Sequence, residues 1–502
     1  MTGLSAFPLP FLASRSISFA TPRTLRELQM MQCSAHIRAK PGWFAKMNDA
    51  DIVARWTQEA VAQGLTEAQV RYVLAELLHY AALRDERTGV EVSAVDGVWQ
   101  SDTLIDDKLR SRLREAVRAL EQVPEAEQDW HPGSDGQVLD LVHPSLFCLV
   151  RGVSEAPERA WRNPTSRYSK YEVSEKFQWL PTDVDVSDDG DVAFRSYVNN
   201  VHPENHRELA AVLPDLLARL RPLLENVLTD LRHPRPLRIE ADPYGWYDSE
   251  PEPPDESSYS DEDAYDEAVH AWEAAQDDWW ENRRPVVPDA PAFTPPRLPD
   301  ESARVDLRGR RLQVIVKLAT IHLTPDKPEY PGGSWHVEGM MNERIVSTAI
   351  YYWDSENITE STLSFRAALD DPRYEQNDDN GVRDVYGLED EDALNQMLGF
   401  ASTPAGRCLA FPNILQHRVG SFRLTDSTRP GYRKILAFFL VDPSQRIVST
   451  SDVPPQQPWS DTSTMTLEQA RNHREQLMQE RKFFVDEHNE QIYERQFSLC
   501  EH

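Results

Sequence analysis

Five places in the 502-residue chain put a histidine two residues before a glutamate: His202/Glu204, His206/Glu208, His336/Glu338, His473/Glu475 and His488/Glu490. Side chains at i and i+2 point to one side of a strand but stand about 200° apart around a helix. His206, His473 and His488 fall in segments with helical apolar spacing, and His202 precedes a proline at a helix start, where a capping use is expected. Only His336/Glu338 lies among strand-like segments, directly after Gly332 and Gly333, which let backbone approach closely. His417, in FPNILQHRVGSF, is the candidate third ligand. Two neutral imidazoles and one carboxylate on one face of a metal leave three positions open. That arrangement suits a non-haem Fe(II) that binds a co-substrate and oxygen together.

A cation follows at a useful place. Arg433 lies sixteen residues past His417 on the next strand-like segment, RPGYRKILAFFLVDP. An arginine facing a barrel interior is costly unless it meets an anion. A dicarboxylate that chelates the metal at one end needs a bidentate cation at the other, and Arg supplies that fork. Lys434 points to the opposite face by alternation. Arg429 and Arg366 are the reserves, each expected nearer the surface or the substrate. Tyr351 and Tyr352 alternate on one strand, so one of them faces inward. Trp335, next to the first ligand, is expected to wall the pocket or to pack, and His322 to be a core residue.

The order HxE, distal His, then Arg on the following strand resembles the Fe(II)/2-oxoglutarate-dependent oxygenase superfamily, and ERIVSTAIYYWD, TLSFR and RCLAFPNILQHRV look like its prolyl-hydroxylase-like branch. The blocks LQVIVKLATIHLTP, YPGGSWHVEGMMNERIVSTAIYYW, GRCLAFPNILQHRV and RPGYRKILAFFLVDP resemble a family catalogued as a domain of unknown function (DUF4246), over most of the chain. The superfamily resemblance covers about residues 305–445. It implies His336, Glu338 and His417 as iron ligands and Arg433 as the 2-oxoglutarate clamp. It also implies oxidative decarboxylation of 2-oxoglutarate to succinate and carbon dioxide, coupled to oxidation of a substrate C–H bond. Two departures stand out: the carboxylate is Glu rather than the commoner Asp, and the His-to-Arg interval is longer than usual. Retention of Glu338 speaks against halogenation, where that position is vacated. A non-catalytic metal-binding barrel that holds a ligand or partner is the alternative, and iron oxygenation without 2-oxoglutarate is a third.

The elements that must position these residues divide the chain. Residues 1–48 read as an N-terminal arm; Pro8 and Pro10 interrupt its apolar stretch, which makes it a poor leader. Residues 49–240 read as mainly helical and packed on the barrel. Within them Gly64 closes one helix, Thr66 and Gln69 form a capping box, and short strands are expected at 137–153 and 190–201. A helix is expected from about His206 to Leu231, kinked or broken at Pro214 and Pro222. The acidic, Pro- and Trp-rich stretch 241–300 reads as a surface excursion whose Trp272, Trp279 and Trp280 form part of a docking helix. Residues 301–460 carry some seven short strands around a polar loop at 370–391. Residues 461–502 read as a charged helix opened by Thr466 and Gln469. The fold class expected is α+β: a C-terminal double-stranded β-helix (jelly-roll) barrel, a largely helical N-terminal half and a C-terminal helix.

Composition bounds the partners. Fifty-three basic against 83 acidic residues leave a net charge of −30, which supplies no counterion-release term for nucleic acid. No apolar run is long enough to span a bilayer. Cys33, Cys148, Cys408 and Cys500 lie far apart with no CxxC pair, which argues against a cysteine zinc site and points to a reduced, cytoplasmic protein. A small-molecule substrate is the expected partner.

Overall fold

The computed structural model describes residues 6–14, 17–161, 171–247, 250–375 and 378–498. Cys500 lies outside the described residues, as do 1–5 and 15–16 of the arm and 248–249 of the acidic stretch. In chain order the helices are α1 (Leu25–Arg38), α2 (Trp43–Lys46), α3 (Ala50–Ala62), α4 (Glu67–Leu83), α5 (Asp107–Glu121), α6 (Arg207–Arg232), α7 (Glu262–Asn282), α8 (Asp379–Tyr386) and α9 (Leu467–His488). The N-terminal half also carries β1 (Glu91–Val92), β2 (Trp99–Ser101), β3 (Val138–Val142), β4 (Leu149–Val150), β5 (Phe177–Gln178), β6 (Thr182–Val186) and β7 (Val192–Phe194). The rest are β8 (Arg311–Leu323), β9 (Glu329–Tyr330), β10 (Ile345–Glu356), β11 (Thr362–Ala368), β12 (Asn395–Ser402), β13 (Cys408–Pro412), β14 (Gln416–Val419), β15 (Phe422–Arg423) and β16 (Gly431–Val441).

Helix starts follow local hydrogen bonding. Thr66 and Gln69 exchange side-chain-to-backbone bonds at the start of α4, and Thr466 and Gln469 do the same at α9. Thr466→Ala breaks the second box and should cost about 1 kcal/mol in urea unfolding. Gly64, at φ +94°, follows α3 where a left-handed residue is wanted.

Two expectations change. α6 runs unbroken through Pro214 and Pro222. Its buried stripe includes Leu209, Val212, Leu213, Leu216, Leu217, Leu220, Leu223, Leu224, Val227 and Leu228. Burial at roughly 1.5–3 kcal/mol per side chain outweighs about 3 kcal/mol for each proline. The polar loop at 370–391 contains α8, whose cap Asp378 is buried and accepts from Gly381 N, Trp246 Nε1 and Tyr247 OH. The acidic stretch thus reaches the strand region through its own aromatics. Its α7 forms as expected, yet buries none of its own residues; Trp272 Nε1 donates to the Pro251 carbonyl and Trp279 packs edge-on to Tyr247.

The fold is mixed α/β with antiparallel sheets. A nine-stranded sheet runs β1-β2-β13-β10-β16-β8-β6-β7, with β3 also paired to β8. A three-stranded sheet runs β12-β11-β14. The N-terminal half therefore does more than pack on the strand region: it extends the large sheet at both sides. Alternation gives that sheet two apolar faces. Val314, Val316, Leu436 and Phe438 face α6 together with Phe7, Leu9 and Phe11 of the arm. Ile315, Ile350, Leu409, Phe411, Ala437 and Phe439 pack against Leu363, Phe365 and Leu398 of the small sheet. No ladder closes the two sheets into a barrel among the described residues. They meet face to face, and an isolated bridge pairs His417 of β14 with His336, in the connection between β9 and β10.

Candidate metal centre

That bridge builds the site. Gly333 N donates to Val419 O at 3.0 Å, and a Cβ on Gly332 would lie 2.8 Å from the same oxygen. Only glycine lets the segment before His336 lie this close to β14. His336 N then donates to His417 O at 3.2 Å, and His417 N to His336 O at 3.0 Å. The two rings sit 4.4 Å apart between centroids. His417 pairs with Phe365 across the small sheet and packs on Phe411 of the large one.

Glu338 completes the group. Its Oε1 lies 3.4 Å from His417 Nε2 and 3.8 Å from His336 Nε2. One donor atom from each of the three residues lies within 4.8 Å of the others. The protonation states suit a cation. Burial, with the neighbouring His417, pushes His336 down to about 4, so its ring is neutral near pH 7. Burial alone would raise Glu338, but the hydrogen bond from His417 and the nearby His336 and Lys317 outweigh it and hold it at about 2. His336 Nδ1 donates to the Ser334 carbonyl at 2.8 Å, which leaves a lone pair on Nε2. These donors fit a divalent transition metal.

Asn413, in the quoted block RCLAFPN, was given no role by the sequence. It is fully buried; its Oδ1 accepts from Glu338 N, and its Nδ2 donates to the carbonyls of Glu338 and Ile345. This amide ties the ligand segment to β10. Asn413→Ala leaves those backbone groups without partners and should cost about 2–3 kcal/mol of stability. It should also weaken Fe(II) binding about tenfold or more, read by metal titration.

Arg433 is 2% exposed on β16, on the face shared by Ile435, Ala437 and Phe439. Its Nη2 donates to Thr403 Oγ1 at 3.0 Å, its guanidinium lies over Tyr352, and its Nε has no partner. No carboxylate pairs with it among the described residues, and burial lowers its pKa. The reserves differ. Arg429 is exposed and bonds Asp426, while Arg366 bonds Gln416 and Glu494 and stacks on Trp335. Lys434, on the opposite face, pairs with Glu121 at 2.7 Å. Tyr351 and Tyr352 are both buried, and Tyr352 is the one on the Arg433 side. His322 packs edge-on to Trp130. Among the other His-x-Glu pairs, His202 Nδ1 accepts from the backbone of Glu204 and Asn205, a capping use.

No helix among the described residues is long and apolar enough to cross a membrane. No curated protein matches the sequence. Among solved structures, the dioxygenase for auxin oxidation of rice aligns at 11% identity over 75% of this chain and 82% of its own, with a TM-score of 0.28. An Fe(II)/α-ketoglutarate-dependent dioxygenase, TqaL, aligns at 11% identity over 72% and 97%, with a TM-score of 0.21. IDO from Bacillus thuringiensis aligns at 11% identity over 27% of this chain and 47% of its own, with a TM-score of 0.17, so this chain spans about half of that protein. Scores this low establish no common fold. Residues 67–463 match the family model described as a protein of unknown function (DUF4246), and residues 2–59 match that family's N-terminal domain. The chain belongs to the DUF4246 family.

Proposed function

We propose that this protein is a non-haem iron, 2-oxoglutarate-dependent oxygenase acting on a small-molecule substrate, with His336, Glu338 and His417 as iron ligands and Arg433 as the co-substrate clamp. On this reading the two facing sheets are the halves of a double-stranded β-helix, and the protein works in the cytoplasm. The observation that carries it is the buried guanidinium of Arg433, which has no carboxylate partner among the described residues and lies on the face of β16 that packs against the small sheet carrying His417. A lone buried cation of this kind is costly until an anion arrives.

When bound, iron and 2-oxoglutarate supply the oxidising chemistry, with succinate and carbon dioxide released. The chain does the rest. His336, aligned by the Ser334 carbonyl, offers a neutral nitrogen, His417 offers its Nε2, and Glu338 offers the one negative charge. Asn413 keeps Glu338 in place. Arg433 receives the far carboxylate of the co-substrate, with Thr403 and Tyr352 fixing its plane. Phe365 and Phe411 exclude water behind His417.

Anaerobic titration of the purified protein with Fe(II) and 2-oxoglutarate should produce the weak visible charge-transfer band of the chelate, and aeration should release succinate. Metal-replete protein with neither band nor succinate sinks the proposal. Iron binding alone would then favour a non-catalytic metal-holding protein.

A further inference from the structure

His131, Asp140 and His143 form a second group whose donor atoms lie within 4.8 Å of one another. As residue types they repeat the first triad. Their hydrogen bonds do not. His143 Nδ1 accepts from the backbone N–H of Ser145 at 3.2 Å. A neutral ring that accepts at Nδ1 carries its proton on Nε2, the reverse of His336, and offers no free lone pair there. Burial keeps this ring neutral by pushing it down to about 3. Arg474 stands 4.0 Å from Asp140 Oδ2, and Lys317 acts on both Asp140 and His143.

His131 is placed for another task. Its Nδ1 lies 2.8 Å from Asp140 Oδ2. Burial would raise the Asp140 carboxyl, but His143, the hydrogen bond from His131 and Lys317 hold it at about 2, so it is ionised and accepts. In the neutral ring the proton therefore sits on Nδ1, toward Asp140, and Nε2 carries the lone pair. Its side chain is 25% exposed and lines a cleft of about 1000 Å³ with Ser134, Tyr330, Ser334, Met478 and Lys482. Asp140 Oδ1 is buried with no donor at all.

We propose that His131, oriented by Asp140, is a hydrogen-bond-accepting subsite of this cleft that takes a neutral hydroxyl group of a bound ligand, and that the cluster is not a metal site. A carboxylate ligand brings no proton, and an ammonium would face Lys317 and Arg474. Tyr330, Pro328 and Met478 beside it suit the apolar body of such a ligand. The inference stands on ring tautomers and the cleft, and holds whether or not the first triad binds iron.

Phenol and anisole serve as probes, because anisole carries a methyl group where phenol carries the donor hydrogen. The full chain, labelled with ¹⁵N-histidine and stripped of metal, is followed by nitrogen-detected side-chain resonances, with His131→Gln identifying the His131 signals. His131 should show an unprotonated Nε2 and His143 an unprotonated Nδ1. Phenol should move the His131 Nε2 resonance and bind about tenfold tighter than anisole, a preference lost in His131→Gln. His131→Gln should bind as much Co(II) as the wild type, whatever that amount is. A protonated Nε2 on His131, equal responses to phenol and anisole, or loss of a Co(II) equivalent in His131→Gln each overturns the proposal.

Discussion

His417→Ala protein should retain almost no iron at micromolar metal, while the wild type holds close to one equivalent. His417 is the most buried of the three residues and its Nε2 lies 3.4 Å from Glu338 Oε1, so its loss removes a donor from the centre of the group. Changes to groups that merely orient ligands cost 10–100-fold in metal affinity, so deleting a direct ligand should cost more than about 100-fold. His336→Ala should behave alike. Glu338→Asp keeps the charge but shortens the reach, and should bind weakly with measurable turnover. Glu338→Ala should hold little iron and make no coupled product. Metal analysis after desalting separates these cases. Equal iron in wild type and His417→Ala would refute the ligand set.

Arg433→Met should retain iron yet need roughly 30- to 1000-fold more 2-oxoglutarate. That range corresponds to about 2–4 kcal/mol for one charge-assisted bidentate pair. The structure adds a second expectation with opposite sign. Arg433 is buried without a carboxylate, so the ligand-free protein bears the cost of a desolvated charge. Methionine fills similar space without charge, and the ligand-free Arg433→Met protein should be as stable as the wild type or more so. Thermal melting with and without 2-oxoglutarate reads both effects: the wild type should gain stability from the ligand and the variant should not. An unchanged 2-oxoglutarate requirement would transfer the clamp to Arg429 or Arg366 and leave the metal ligands standing.

Much of this was legible in the sequence wherever the physics is local. Thr66 with Gln69, and Thr466 with Gln469, close their boxes within three residues, so residue type alone identifies them. The β8 and β16 strands are readable because a β-branched, apolar run of eleven or more residues bounded by turn signals suits a buried strand. The Gly332-Gly333 turn marked the place where a chain must come close to another, and His336/Glu338 stood out because the other four pairs sat on or beside helices. Chain order with His417 and Arg433 did the rest for the candidate site.

Tertiary structure decided what depends on partners far away in sequence. Whether Pro214 and Pro222 break α6 was settled by the apolar stripe it buries, not by the prolines. The small α8 helix in a polar loop exists because Trp246 and Tyr247, more than 130 residues earlier, donate to its buried cap Asp378. Asn413 became a clamp only when its amide met the backbone of Glu338 and Ile345. Arg433 is set apart from Arg366 and Arg429 by burial without a carboxylate partner among the described residues, a property of its surroundings rather than its strand. His336 and His143 are the same residue type, each beside a carboxylate, yet opposite backbone hydrogen bonds at Nδ1 give them opposite free nitrogens. Spacing along a chain selects which side chains share a face; the proton each one carries is set by the group that folding brings against it.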